Sequence, residues 1–326
     1  MDTVRWGIIA TGAVAQDFAE GLAIVPGAEL VAVGSRSRET ADRFGDAYGV
    51  PRRYSSYEGL AQDPGVDVVY VATPHTLHRD NTLLCLNEGK AVLCEKAFAI
   101  NADQAQEMVA LARRNKLFLM EAMWNRFHPV VLEFRRLLEG GAIGEPRLLV
   151  ADFGLGVEFD PKSRLFDLAF GGGALLDLGV YPVALASLVF GTPRQISTQA
   201  HLGPTGVDER AGIILGYDEG RLAVLHTSLR EKTPTEARLF GDGGSLRLHG
   251  PIFRPSAITL SRHGRDEERI EPLVEGNAYN YEAMEVMRCL AAGRTESPSM
   301  TLDESLSIMR TMDALRAEWG FRYPGE

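Results

Sequence analysis

Val4-Arg5-Trp6-Gly7-Ile8-Ile9-Ala10-Thr11-Gly12-Ala13-Val14-Ala15 is the stretch whose reading decides the fold. An apolar run, Val4 to Ile9, passes into the pattern G-x-G-x-x-G/A, with Ala10 in the first glycine slot, and a helical pattern follows from Val14 to Ile24. A strand before and a helix after make this a dinucleotide fingerprint rather than a chance spacing. Gly12 lets the backbone approach a pyrophosphate, whose charge meets the amides and positive dipole end of the next helix. Ala15 allows helix to pack closely on strand. Ala10, Thr11, Gly12, Ala13 and Val14 are therefore cofactor-binding candidates.

Moving outward, a second strand, Leu30 to Gly34, ends in Ser35-Arg36-Ser37-Arg38. An NAD enzyme usually offers an acid here to bond the ribose hydroxyls. An acid would repel a 2′-phosphate, whereas Ser35, Arg36 and Arg38 would bind one through charge-assisted bonds. NADP is the expected cofactor, with NAD possible; the plainer alternative is a solvated basic turn that starts a helix. Thr73-Pro74-His75 follows a third strand, Val66 to Ala72, at the carboxyl edge where the nicotinamide end should pass. His75 and His78 have metal-like spacing but no accompanying acid or cysteine cluster, so no metal site is expected. Glu95-Lys96 leaves a fourth strand, Ala91 to Cys94. A lysine at the carboxyl end of a buried parallel strand points into the ligand crevice, where desolvating its charge needs a reason. Catalysis is one reason, and an ion pair with Glu95 is the other.

Helical patterns from Arg38 to Tyr48, Leu77 to Asn87 and Ala102 to Arg114 alternate with these strands, and Phe118 to Met120 reads as a fifth. Continuous apolar strands alternating with helices predict a parallel sheet covered on both faces. The pattern changes after about Trp124. A helix, Pro129 to Leu138, and a strand, Arg147 to Gly154, precede Gly171-Gly172-Gly173, which opens a helix running to about Phe190. Then come Ile196 to His201, Ala211 to Tyr217, Arg221 to Ser228, Thr235 to Phe240 and Ser245 to His249, joined by tight turns. Consecutive strands of this kind predict an antiparallel sheet. Two helices follow, about Asn277 to Ala291 and Leu302 to Trp319, the second with a capping box from Thr301 to Glu304. The expected class is α/β: a Rossmann doubly wound parallel sheet over 1–122, then an α+β domain on a largely antiparallel sheet over 123–326.

The 326 residues suffice for two cores, and 45% hydrophobic with 24% charged residues is ordinary for a globular protein. A net charge of −10 disfavours nonspecific binding to nucleic acid or an anionic membrane. No apolar run is expected to reach membrane-span length, and Met1 to Arg5 lacks a signal-peptide pattern. Cys85, Cys94 and Cys289 show neither CxxC spacing nor an even count, so a reducing cytoplasm is expected.

In Asp177-Leu178-Gly179-Val180-Tyr181 an acid and a phenol lie four apart, on one face of a helix that is otherwise apolar. Taken alone, a helix-dipole acid beside a core tyrosine explains them. Together with the fingerprint, Thr73-Pro74-His75 and Glu95-Lys96, however, the chain resembles the glucose–fructose oxidoreductase, inositol dehydrogenase and MocA family. Met120 to Pro129, Tyr181 and the segment Glu296 to Leu306 resemble its branch of dimeric dihydrodiol dehydrogenases and NADP-dependent D-xylose dehydrogenases. The sequence departs from the family in having Ala97 after Lys96, where E-K-P is common, so the Lys96-Ala97 bond can be cis or trans.

The resemblance implies hydride transfer between NADP and a carbinol of an aldose or a cyclic dihydrodiol. It implies that Lys96, Asp177 and Tyr181 are catalytic. Tyr181 would take the hydroxyl proton while the Lys96 ammonium stabilises its anion, and Asp177 would orient Lys96 or substrate. It further implies that Trp124 and Phe153 line the substrate pocket, that Arg126 supports cofactor or subunit contact, and that Arg164 meets cofactor or substrate. Glu95, Trp124 and Arg126 join the cofactor-side candidates. A homodimer or higher oligomer through the second sheet is expected, since only one face of that sheet can be covered by its own helices. A non-catalytic nucleotide-binding sensor and a closed-cycle enzyme with tightly held cofactor are the alternatives. The exact substrate, its stereochemistry and the direction of reaction are not in the sequence.

Overall fold

The structure is a computed structural model in which residues 3–326 are described. It divides into two compact units, one reaching to Phe127 and including Glu275–Leu306, the other formed by His128–Val274 and Ser307–Glu326.

The first unit alternates β1 (Val4–Ile9), α1 (Ala13–Leu22), β2 (Ala28–Gly34), α2 (Arg38–Tyr48), β3 (Arg52–Tyr54), α3 (Tyr57–Ala61), β4 (Val68–Val71), α4 (His78–Asn87), β5 (Ala91–Glu95), α5 (Ala102–Asn115) and β6 (Leu119–Ala122). The strands form one parallel sheet in the order β3-β2-β1-β4-β5-β6. Every residue of β4, β5 and β6 is buried, as a sheet with both faces covered requires. Strand order reverses between β1 and β4, which places the ligand crevice at their carboxyl ends. Local signals set the helix ends: Ser37 caps α2 by accepting from the Thr40 amide, and Gly49 ends it at φ +68°.

The second unit holds α6 (Pro129–Glu139), β7 (Pro146–Gly154), α7 (Val180–Phe190), β8 (Gln195–Leu202), β9 (Asp208–Gly216), β10 (Leu222–Ser228), β11 (Ala237–Gly241), β12 (Gly244–Leu248), β13 (Ile258–Arg262) and β14 (Glu268–Ile270). Its eight-stranded sheet runs β14-β13-β12-β11-β7-β10-β9-β8, antiparallel except where β7 lies parallel to β10. One face is core: Leu149, Ile213, Leu215, Ala223 and Leu225 are at most 2% exposed. The other face leaves Val150, Ile214, Leu222 and Val224 exposed.

Two helices complete the chain, α8 (Tyr279–Ala291) and α9 (Leu302–Glu318). The single expected division at residue 122 misses the return of Glu275–Leu306 to the first unit. Its physical reason is coverage. The Thr295 carbonyl accepts from Leu119 at 3.1 Å beside edge strand β6, and Asn277 Nδ2 donates to the Asp17 carbonyl at 2.6 Å. Gly21 of α1 admits this approach, because a Cβ there would stand 2.6 Å from Asn277 Oδ1.

Two further expectations are corrected. The segment after Gly171-Gly172-Gly173 is not one α-helix: a π-helical turn, Leu175–Gly179, precedes α7. And one stretch, Leu168–Phe190, does reach membrane-span length and apolarity; 78% of its most apolar window is buried inside the protein, as for a core helix.

Candidate active site

The turn after β1 carries Ala10 at φ +82°, a left-handed conformation that explains why glycine usually fills this slot. Gly12 begins α1 in extended backbone, without a side-chain cap, and no acid lies in the first turn. A Cβ on Gly12 would meet nothing within 4 Å. The glycine is thus not required by protein neighbours, and the uncapped start of α1 offers the kind of helix-terminal amides that bind anions. These features fit a dinucleotide pyrophosphate. At the end of β2 the basic turn divides its labour. Ser35 Oγ meets Thr40 Oγ1 at 2.6 Å, Ser37 is the helix cap, and Arg38 pairs with Asp42 at 3.0 Å. Arg36 is exposed beside Tyr57, whose hydroxyl is shifted up chiefly by burial and pulled back by Arg36.

The loop after β5 has its backbone held at each of three residues. The Lys96 amide donates to Glu95 Oε2 at 3.1 Å, a ring nitrogen of His78 sits 2.8 Å from the Ala97 carbonyl, and the Phe98 amide donates to Glu121 Oε1 at 3.1 Å. The Lys96-Ala97 bond is cis. Glu95 also accepts from the buried Tyr70 hydroxyl. The other ring nitrogen of His78 lies 2.8 Å from the Thr73 carbonyl, so the imidazole sits between the β4 loop and the Lys96 loop, and in its neutral form donates to one of the two carbonyls. Burial pushes its pKa down to about 4, against the two carbonyls. Thr73 in turn accepts from Asn81 at 3.2 Å, and the His75 ring sits edge-on to His78 at 5.5 Å. Among the described residues, no group of three or more His, Cys, Asp or Glu is placed to hold a metal.

Trp124 lies in a short turn after β6, buried, stacked on Tyr279 of α8 at 4.9 Å. Arg126, 4% exposed, donates to Glu304 at 2.8 Å. Both therefore hold the returning segment of their own unit.

In the second unit Asp177 and Tyr181 are 6% and 4% exposed. Asp177 sits in the π-helical turn, a distortion often found at functional sites. Arg164 reaches it with two bonds, 3.1 Å to Oδ1 and 3.4 Å to Oδ2. Tyr181 begins α7 against an aromatic wall: the Phe153 ring lies 5.7 Å away and the Phe253 ring 6.1 Å, and these two stack on each other at 5.1 Å. The unit thus brings together Asp177, Tyr181, Phe153 and Arg164 from the sequence-based set, and adds Phe253. The first unit sets His78 between Thr73 and Ala97, the residue after Lys96, while Glu95 bonds the Tyr70 hydroxyl and the Lys96 amide.

Sequence reading missed His78 between the two loops, Glu121 and Glu282 as buried carboxyls, and Asp208 behind the glycines. Burial raises Glu121 and Asp208 each to about 7, and raises Glu282, whose neighbour is Glu95, well above the ordinary range. An acid within an apolar run was the available signal, as in Met120-Glu121-Ala122.

A parallel sheet with a pyrophosphate-ready turn, joined in one chain to a unit presenting a buried acid and phenol, defines a nicotinamide-dependent oxidoreductase. Residues 4–123 match the oxidoreductase family with an NAD-binding Rossmann fold, and residues 131–247 match the GFO/IDH/MocA C-terminal domain. The chain belongs to the GFO/IDH/MocA family. It is 38% identical to trans-1,2-dihydrobenzene-1,2-diol dehydrogenase of Xenopus tropicalis, over 98% of this chain and 99% of that one. The mouse (Mus musculus) enzyme of the same name is 37% identical, over 98% of both chains. Among solved structures, a 3-ketoreductase from Actinomadura kijaniata in complex with NADP and TDP-benzene superposes with a TM-score of 0.87 at 26% identity, covering 97% of this chain and 98% of that one.

Proposed function

We propose that the protein is an NADP-dependent dehydrogenase that moves a hydride between the nicotinamide and a carbinol carbon of a sugar, an aldose such as xylose, or of a cyclic trans-dihydrodiol. The observation that carries this reading is the buried Asp177 carboxylate, gripped by Arg164, four residues before a buried phenol on an aromatic wall. The NADP bound in the ketoreductase and the diol named for the amphibian and mouse relatives support it.

The nicotinamide, when bound, supplies the acceptor or donor of hydride. Gly12 and the start of α1 would hold its pyrophosphate, Arg36 its 2′-phosphate, and Thr73, Pro74 and His75 would border the ring end. Carbinol oxidation also needs a base for the hydroxyl proton. Tyr181 is that base in its phenolate form, the Lys96 ammonium lowers the cost of the phenolate, and the proton ends on the phenol oxygen. Asp177 and Arg164 orient substrate hydroxyls. Phe153 and Phe253 take the apolar face of a ring. Lys96, Asp177 and Tyr181 are the proposed catalytic residues, and buried cysteines without disulfides fit a reducing, cytoplasmic setting.

A panel of aldoses and cyclic trans-diols with NADP and with NAD, followed by NADPH or NADH absorbance, tests the reading. No turnover on either class would sink it. For the assembly, Val150 of β7, Val224 of β10 and Ile214 of β9 are register neighbours and all exposed. Such a row is proposed to be covered by a second copy. Light scattering should give a dimer or larger, and Val224→Glu should shift it toward monomer.

A further inference from the structure

The segment after α9 reaches back to the glycines that precede Asp177. Tyr323, 2% exposed, donates its hydroxyl to the Gly172 carbonyl at 2.7 Å. Three residues on, the Leu175 amide donates to Asp208 Oδ2 at 2.7 Å, and Asp208 is fully buried. Gly173, at φ +125°, lies between these anchors with no space for a side chain: a Cβ would stand 2.1 Å from Asp208 Oδ1 and 3.3 Å from the Tyr323 hydroxyl. The same glycines hold the stretch that bears Arg164, since the Gly172 amide donates to the Asp167 carbonyl at 3.0 Å and the Gly173 amide to the Leu165 carbonyl at 2.9 Å.

Tyr323 is itself locked. Its amide donates to Glu326 Oε2 at 2.7 Å, and Arg316 donates to both Glu326 oxygens at 2.7 and 2.9 Å. The Arg316 guanidinium lies 5.1 Å from the centre of the Tyr323 ring and also pairs with Asp313 at 2.6 Å. Phe321 packs edge-on to Tyr323 at 4.8 Å. At 4% exposure Arg316 is a buried charge, offset through its terminal nitrogens by the Glu326 and Asp313 carboxylates.

We propose that Tyr323 and Asp208 are positioning residues that clamp the two ends of Gly172–Leu175, with Glu326 and Arg316 as the latch. The clamp sets the angle at which the π-helical turn presents Asp177 and, one turn on, Tyr181. This rests on the functional reading above, because it assigns the clamp to the turnover of that same site. No residue of the clamp touches substrate; each acts through the backbone of the glycine loop.

Two variants of the whole 326-residue chain test it. Tyr323→Phe keeps the ring and removes the hydroxyl, and Glu326→Gln keeps the shape of the latch and removes its charge. Three readouts are taken: kcat and KM on a turned-over carbinol, NADPH affinity by fluorescence titration, and hydrogen exchange over residues 173–181. Tyr323→Phe should lose roughly tenfold or more in kcat, the scale of a small misplacement of reacting groups. NADPH affinity should stay at the parent value while exchange over 173–181 speeds up. Glu326→Gln should show the same pattern in smaller degree. Parent-like kcat in both variants overturns the proposal, whether or not exchange changes. So does a loss shared equally by kcat and NADPH affinity, which marks general loosening. If the parent turns over no carbinol, it is the functional reading that fails; exchange still decides the clamp, and unchanged protection over 173–181 overturns it.

Discussion

Arg164 holds Asp177 by both carboxylate oxygens, at 3.1 and 3.4 Å, with the Asp177 side chain 8% and the Arg164 side chain 55% exposed. One partner is fixed in the core while the other stands at the water's edge, so the pair can present a buried negative charge to a polar ligand without leaving it unpaired. Asp177→Asn keeps the shape and removes the charge. It should lower kcat/KM by roughly tenfold or more, about 1.4 kcal/mol of transition-state stabilisation. Arg164→Gln should cost less, because water can replace an exposed donor. Steady-state kinetics on one carbinol check both, and a larger loss for Arg164→Gln would make Arg164 the primary substrate contact.

Tyr181→Phe removes only the phenol oxygen and leaves the contacts with Phe153 and Phe253. Turnover should fall about a hundredfold, the usual scale of a lost general base. NADP affinity should hold. Lys96→Met should lose at least as much, and the double variant should be little worse than the worse single one, since groups acting together are not additive. Near-normal turnover in Tyr181→Phe would reduce the tyrosine to packing.

At the end of β2, Arg36→Ala should weaken NADP binding by roughly ten- to a hundredfold, the cost of one charged contact to phosphate. NAD binding should barely change. Isothermal titration with both nucleotides distinguishes this from a structural role beside Tyr57, in which both affinities fall together.

Burial raises the Asp208 carboxyl from 3.8 to about 7. Between those values the folded protein keeps a proton that the unfolded chain has released. Its contribution to stability is therefore complete below the lower value and drains away as pH rises through the higher one. Set against Asp208→Asn, the parent should lose on the order of 1.4 kcal/mol per pH unit across that window, as read by denaturant unfolding. His78 and His128, pushed down to about 4 by burial, act in the opposite direction, weakening the fold as pH falls below 6.5. A parent-minus-variant difference that is flat with pH would show that Asp208 is ionised in the folded protein at all these pH values.

The parallel sheet was legible because its signals are local. An apolar run before Gly12, and charge-rich turns after each strand, report on neighbours in sequence. The antiparallel sheet was legible for the same reason as far as His249. Beyond it, β13 and β14 alternate weakly and were not foreseen, and β3, Arg52–Tyr54, is too short and too polar to announce a strand. The candidate site shows the same limit. Asp177 and Tyr181 stand four apart and could be paired on paper. Arg164 finds Asp177 across thirteen residues, and Asp208 reaches the Leu175 amide across thirty-three. Nothing in spacing reports a contact made by a fold's closure rather than by a helix's period. The π-helical turn is a further case: Gly171-Gly172-Gly173 marks a helix start, but the wider winding over Leu175–Gly179 leaves no mark on the apolar pattern that a helix reading uses.

The return of Glu275–Leu306 to the first unit makes the nucleotide-binding half a product of two distant pieces of gene. Its edge strand and the open side of α1 stay bare on the ribosome until nearly three hundred residues have emerged. Domains usually complete themselves in the order of synthesis. Here the earlier half finishes after most of the later one has been made. A nascent chain released early would expose Trp124 and the Gly21 face of α1 to whatever chaperone or neighbour meets them first.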